Sequence, residues 1–187
     1  MKKKYIILPF IILALCIIIC RIIYVTKNAR TPVVNKISQG ESVVYKGVEY
    51  SVLDATLWEY NDFFKHYEDV ADYASDIEDD TIMILLVELK ASINAEENVL
   101  DLEIPIEYLN IFNGVDVFMA DALNPSLSEG TFKSGDSIYI PYEIYKENLT
   151  TEQWEQVVNR EITYDLSLGT YPEKNKLMIE TVISGGE

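Results

Sequence analysis

The chain has 187 residues and a formal net charge of −16, and that charge is unevenly spread. Residues 1–40 carry seven basic and no acidic residues, which leaves eight basic and all 31 acidic ones for the rest, a net of −23. A part this acidic repels phosphate backbones and anionic headgroups, so nucleic acid and a charged lipid surface are set aside as its partners.

Three lysines open the chain, and an apolar stretch from Tyr5 to Val25 follows, broken only by Arg21. About 20 helical residues cross a bilayer core. Residues 1–25 are therefore read as an uncleaved signal-anchor, a single transmembrane helix. The stretch exceeds the apolar region of a cleaved signal, and no small-residue cleavage site follows it. Leu15 and Ile19, just before Cys16 and Cys20, do not fit a lipoprotein signal. Lys2, Lys3 and Lys4 favour a cytoplasmic N-terminus. The rest is then extracellular, at the cell membrane. Both cysteines lie in the anchor, so the outer part has no disulfide.

Residues 26–40 read as a basic linker, 41–183 as one extracellular domain and 184–187 as a disordered tail. Within the domain the hydrophobic period is mostly two. Val48, Tyr50 and Val52 share one face. Thr81–Leu89 is nearly all apolar and reads as a central strand. Val99–Ile106, Val115–Ala120, Ser137–Tyr145, Glu161–Leu168 and Leu177–Val182 complete the set, with Pro105 at an edge or bulge. Lys46-Gly47, Asn113-Gly114, Asn124-Pro125, Ser134-Gly135 and Gly169 mark turns. The fold class expected is mainly β, an antiparallel sandwich with one or two short inserted helices.

One helix is expected over Asn61–Ile77, where Phe63, Tyr67, Val70, Ala74 and Ile77 recur at helical spacing. Another starts at Thr150. Thr150 is the N-cap and Gln153 stands at N3, a capping box, with Leu149 and Trp154 placed as a staple. Trp154, Val157 and Val158 then share one face.

Gly40, Tyr45, Gly47, Val48 and Tyr50 form a G-x-x-x-x-Y-x-G-V-x-Y pattern. With the anchor and linker, it resembles exported telokin-like, immunoglobulin-fold domains of Gram-positive bacteria. Leu149-Thr-Thr-Glu-Gln-Trp-Glu, followed by Leu166-Ser-Leu-Gly-Thr-Tyr-Pro-Glu-Lys, is similar to small membrane-anchored proteins of unknown function. The resemblance implies an immunoglobulin-like sandwich over residues 40–182 and a place at the membrane. It implies no catalytic residue.

The chemistry-bearing residues are few. No G-x-S-x-G occurs, and His66 is the only histidine, read as exposed. No phosphate-binding glycine loop occurs, so no nucleotide is expected. Asp69, Asp72, Asp76, Glu78, Asp79 and Asp80 lack the glycine turn and ligand spacing of a calcium loop, and no metal or cofactor is expected. Asn148-Leu149-Thr150 fits a glycosylation signal but lies beside a helix cap and is read as chance. Aromatics are more suggestive. Trp58, Tyr60, Phe63, Phe64, Tyr67 and Tyr73 crowd into sixteen residues. Tyr and Trp give large contact areas with a polar handle. Trp58, Tyr60, Phe64, Tyr67 and Tyr73 are the candidate interaction surface, against the alternative that these rings are core.

The function expected is a non-enzymatic binding module tethered to the membrane, recognising a protein, peptide or envelope component. An accessory or immunity subunit of a membrane complex is the alternative, with the anchor as an interface. A hydrolase using a carboxylate pair ranks third.

Overall fold

The computed structural model describes residues 4–29, 31–74, 79–93, 100–169 and 172–186. The chain divides into two units, Met1–Pro32 and Val33–Glu187. The first holds one helix, α1 (Lys4–Asn28), of 25 residues. Among the described residues no helix is long and apolar enough to cross a membrane. The transmembrane helix expected over residues 1–25 therefore has no support in the structure.

The second unit is mainly β. Its elements run β1 (Val33–Ile37), β2 (Ser42–Tyr45), β3 (Val48–Glu59), α2 (Tyr60–His66), a 3-10 helix (Glu68–Tyr73), β4 (Ile82–Ile93), β5 (Ile106–Tyr108), β6 (Ile111–Asn113), α3 (Val117–Leu123), α4 (Pro125–Ser128), β7 (Ser137–Tyr145), α5 (Thr151–Val158), β8 (Tyr164–Leu168), β9 (Glu173–Ile179) and β10 (Ile183–Ser184). One sheet has the order β1-β9-β8-β5-β6. The other has the order β10-β3-β4-β7, with β2 also on β3.

The two sheets share a core. Tyr50, Val52, Leu57, Leu85, Val87, Leu89, Ile140 and Tyr142 from one meet Ile106, Tyr164, Leu166, Leu177 and Ile179 from the other. The opposite face of β4 sends Ile82, Ile84 and Leu86 into a second cluster with Phe63, Val70 and Met119. Apolar residues on both faces of β4 are why Thr81–Leu89 shows no alternation. In β3 the inward phase moves by one, from Val52 to Ala55, at a bulge between Val52 and Asp54 that leaves Leu53 exposed.

Several expectations are corrected. The pairing is not wholly antiparallel: β1 runs parallel to β9, and β10 parallel to β3. Each of these strands lies at one end of the unit and joins its sheet without a hairpin. The linker expected over 26–40 thus contains a strand. Val33 N–H donates to Pro172 O at 3.0 Å and the Asn35 amide to Asn175 Oδ1 at 2.9 Å. In the tail expected to be disordered over 184–187, Ser184 ends β10 and Gly185 N–H donates to Leu57 O at 2.8 Å.

Val115–Ala120, expected as a strand, instead leads into α3 at Val117. Asp116 is its N-cap, with Oδ1 accepting from Phe118 N and Met119 N, both at 3.0 Å. From Val99–Ile106 only Ile106 enters a strand, and Val99 lies outside the described residues. There Asp101 Oδ1 accepts from Glu103 N at 3.0 Å, a local turn that competes with extended pairing.

The helix expected over Asn61–Ile77 breaks at Tyr67, whose φ of −107° and ψ of 76° are not helical. A 3-10 helix takes over to Tyr73; Ser75–Glu78 lie outside the described residues. A continuous helix would stack Glu68 on Asp72, like charges four residues apart.

Candidate interaction surface

The helical layer is built on the face of β4 that points away from the shared core. Val70 anchors the 3-10 helix and Met119 anchors α3, both essentially fully buried. Asn124, just after α3, fixes that layer to the sheet. Its Nδ2 donates to Ala120 O at 2.6 Å and to Tyr139 O at 2.7 Å, and its Oδ1 accepts from Tyr139 N at 2.8 Å. A buried amide with donors and acceptor all used holds α3 in one position.

The five aromatic residues expected at the surface divide. Trp58, Tyr60 and Phe64 are 6 %, 2 % and 8 % exposed, so they are core, not surface. Their rings pack edge-to-face: Tyr60 on Phe64 with centroids 4.9 Å apart, Trp58 on Phe63 at 6.3 Å. Tyr67 is half-buried against Phe63 and Trp58, and burial pushes its hydroxyl pKa up. His66 is exposed, its ring 4.8 Å from that of Trp58. Tyr73 alone of the five is exposed, at 44 %.

Tyr73 has a neighbour that sequence reasoning missed. Phe118 is 72 % exposed and stacks on it, centroids 6.5 Å apart and planes within 16°. Its position follows from α3: with Met119 and Ala120 buried, the preceding side chain faces out. Asp116 was the available signal, an N-cap one residue before the helix. Glu68, Asp69 and Asp72 are exposed on the same 3-10 helix as Tyr73, and Asp121 is exposed one turn after Phe118.

The same unit has two other features. A cleft of about 470 Å³ has Met83, Trp154 and Val158 for apolar lining. Its cations are occupied: Lys65 pairs with Asp62 at 2.8 Å, and Lys146 with Asp80 at 3.5 Å, the Lys146 ammonium lying 5.9 Å from the Trp154 ring centroid. The capping box at Thr150 and Gln153 is present. Of the face expected on α5, however, only Val157 is fully buried; Trp154 is half-buried and Val158 exposed.

The second feature is a charged network on β5, β8 and β9. Glu107 accepts from Lys174, Lys176 and Ser167, and Lys176 also pairs with Asp165 at 2.9 Å. Burial pushes the Glu107 carboxyl up, but the lysine and serine hydrogen bonds outweigh it and hold it at about 2. Burial likewise lowers the Lys176 pKa, and its two carboxylates raise it by more. Anions and cations compensate one another here, which makes the network a clasp across three strands.

Among the described residues no group of three or more His, Cys, Asp or Glu could hold a metal ion. Asp76, Glu78 and the Asp79 side chain lie outside that set.

A domain of unknown function, DUF5028, matches residues 24–175. The chain belongs to the DUF5028 family. The DUF5028 match takes in β1 through to Asn175 in β9, and with it the whole helical layer and the Tyr73–Phe118 pair. No curated protein and no solved structure matches the chain.

Proposed function

We propose that this DUF5028 protein is a non-enzymatic, extracytoplasmic binding module, tethered to the membrane by α1 and recognising a protein, peptide or envelope component through its helical layer. The observation that carries the reading is the exposed, stacked Tyr73–Phe118 pair on rigidly held elements. A water-facing aromatic surface costs solubility and adds nothing to the core, so its use lies in contact with another molecule.

The tether is supported by the sequence: the apolar stretch from Tyr5 to Val25, broken only by Arg21, holds about the 20 residues that cross a bilayer core. The large apolar side chains from Ile11 to Val25 are about half exposed or more. The lysines at the start put the N-terminus in the cytoplasm and the domain outside. Two sheets around a shared core, with no cysteine to bridge them, fit the immunoglobulin-like reading and its Gram-positive setting; the two parallel edge pairs are departures from it.

The test is recovery of the tagged full-length protein from detergent-solubilised membrane. Tyr73→Ala with Phe118→Ala should abolish co-purification of the partner, and Trp154→Ala should not. Equal recovery by the double variant would refute this surface as the docking site.

A further inference from the structure

The Tyr73–Phe118 surface also carries information on what covers it. Resting on the reading of this patch as a docking surface, we infer that its partner is a cationic, arginine-bearing polypeptide segment. The charged side chains on the two elements that carry the pair are of one sign. Glu68, Asp69 and Asp72 are exposed on the 3-10 helix that presents Tyr73, and Asp121 on the helix that presents Phe118. No Lys or Arg occurs in residues 66–74, nor anywhere in residues 101–132. The two elements that build the patch therefore offer aromatic faces and carboxylates and nothing else charged.

That combination selects its partner. A guanidinium stacks on an aromatic face and pairs with a carboxylate at once, which an ammonium does less well. An anionic lipid or phosphate polymer meets like charge here. So does a second copy of the chain, because a two-fold contact would set the same carboxylates against each other. The contrast with the rest of the unit is informative. Asp62 and Asp80 in the cleft at Trp154, and Glu107 and Asp165 in the network, already have lysine partners within the chain. Among the described residues no ion pair engages Glu68, Asp69, Asp72 or Asp121 at the patch, so a partner's cations are free to meet them. Because those carboxylates are exposed, attraction at this rim is screened by salt, over about 8 Å at physiological ionic strength.

The experiment uses the full-length protein in its own membrane, with a photoreactive phenylalanine analogue at position 118 and, as a control, at position 112, where Phe112 is 60 % exposed on β6. The expected result is an adduct from 118 and not from 112, mapping to a partner segment rich in Arg. It should fall at least tenfold with Asp69→Asn plus Asp72→Asn, and in raised salt. All these positions are exposed, so folding is not at stake. An adduct at a segment without basic excess, or one unchanged by the Asn substitutions, overturns the cationic inference and leaves the docking surface standing. No adduct from 118 overturns both.

Discussion

At the scale of single residues, Glu107 is the most heavily committed side chain on its sheet. Its carboxyl is held at about 2 in the folded chain, against 4.5 for an unperturbed group. The folded value is depressed, so the network contributes its full stability above about pH 4.5 and loses it as pH falls towards 2. Thermal melts across that range should show a steep loss for the native protein and a flatter one for Glu107→Gln; parallel curves would show that the clasp carries no stability. Trp154 illustrates the opposite case. It sits at N4 of a capped helix but is only half-buried. Trp154→Ala should therefore cost about 1–2 kcal/mol rather than the 3–5 of a fully buried ring. A denaturant midpoint unchanged from wild type would mean the ring adds nothing to the core.

At the scale of elements, the strand most exposed to a single substitution is β10. Gly185 lies so close to Trp58 that a Cβ built there would come within 2.1 Å of the indole. Gly185→Ala should detach β10 from β3 and shift Trp58 fluorescence to the red, measured in a Trp154→Phe background; an unshifted spectrum would show that the strand tolerates the methyl. This scale also separates what was legible in the sequence from what was not. Ser137–Tyr145 was readable because one face is core and the other is not, and its observed bounds are the same. Thr150 and Gln153 were readable because a capping box is local. Residues 33–37 were not, because a short parallel strand acquires its meaning only from β9, some 140 residues later. Val115–Ala120 misled because its apolar residues fit two periods, and the Asp116 cap decides between them. Phe118 was lost with it. Of the five aromatics proposed as surface, three proved core because sequence spacing does not tell that the outer face of β4 is covered, and Trp58 of β3 with Tyr60 and Phe64 of α2 pack into the cluster that covers it.

At the scale of the whole molecule, the chain has an apolar helix, a two-sheet unit and one aromatic, acid-rimmed surface on that unit's helical layer. If α1 is an anchor, the full-length protein should stay in the membrane pellet through high salt and alkaline carbonate, and removal of residues 1–28 should release it; release of the intact chain by carbonate would remove the tether. The central claim is that the helical layer is where a partner docks, and hydrogen exchange tests it most directly. Exchange of the full-length protein in its native membrane is compared with that of the purified protein in detergent. The account predicts slowed exchange in the membrane at residues 68–73 and 117–123, reversed by Tyr73→Ala with Phe118→Ala. Identical exchange there, or protection confined to β5, β8 and β9, would contradict it.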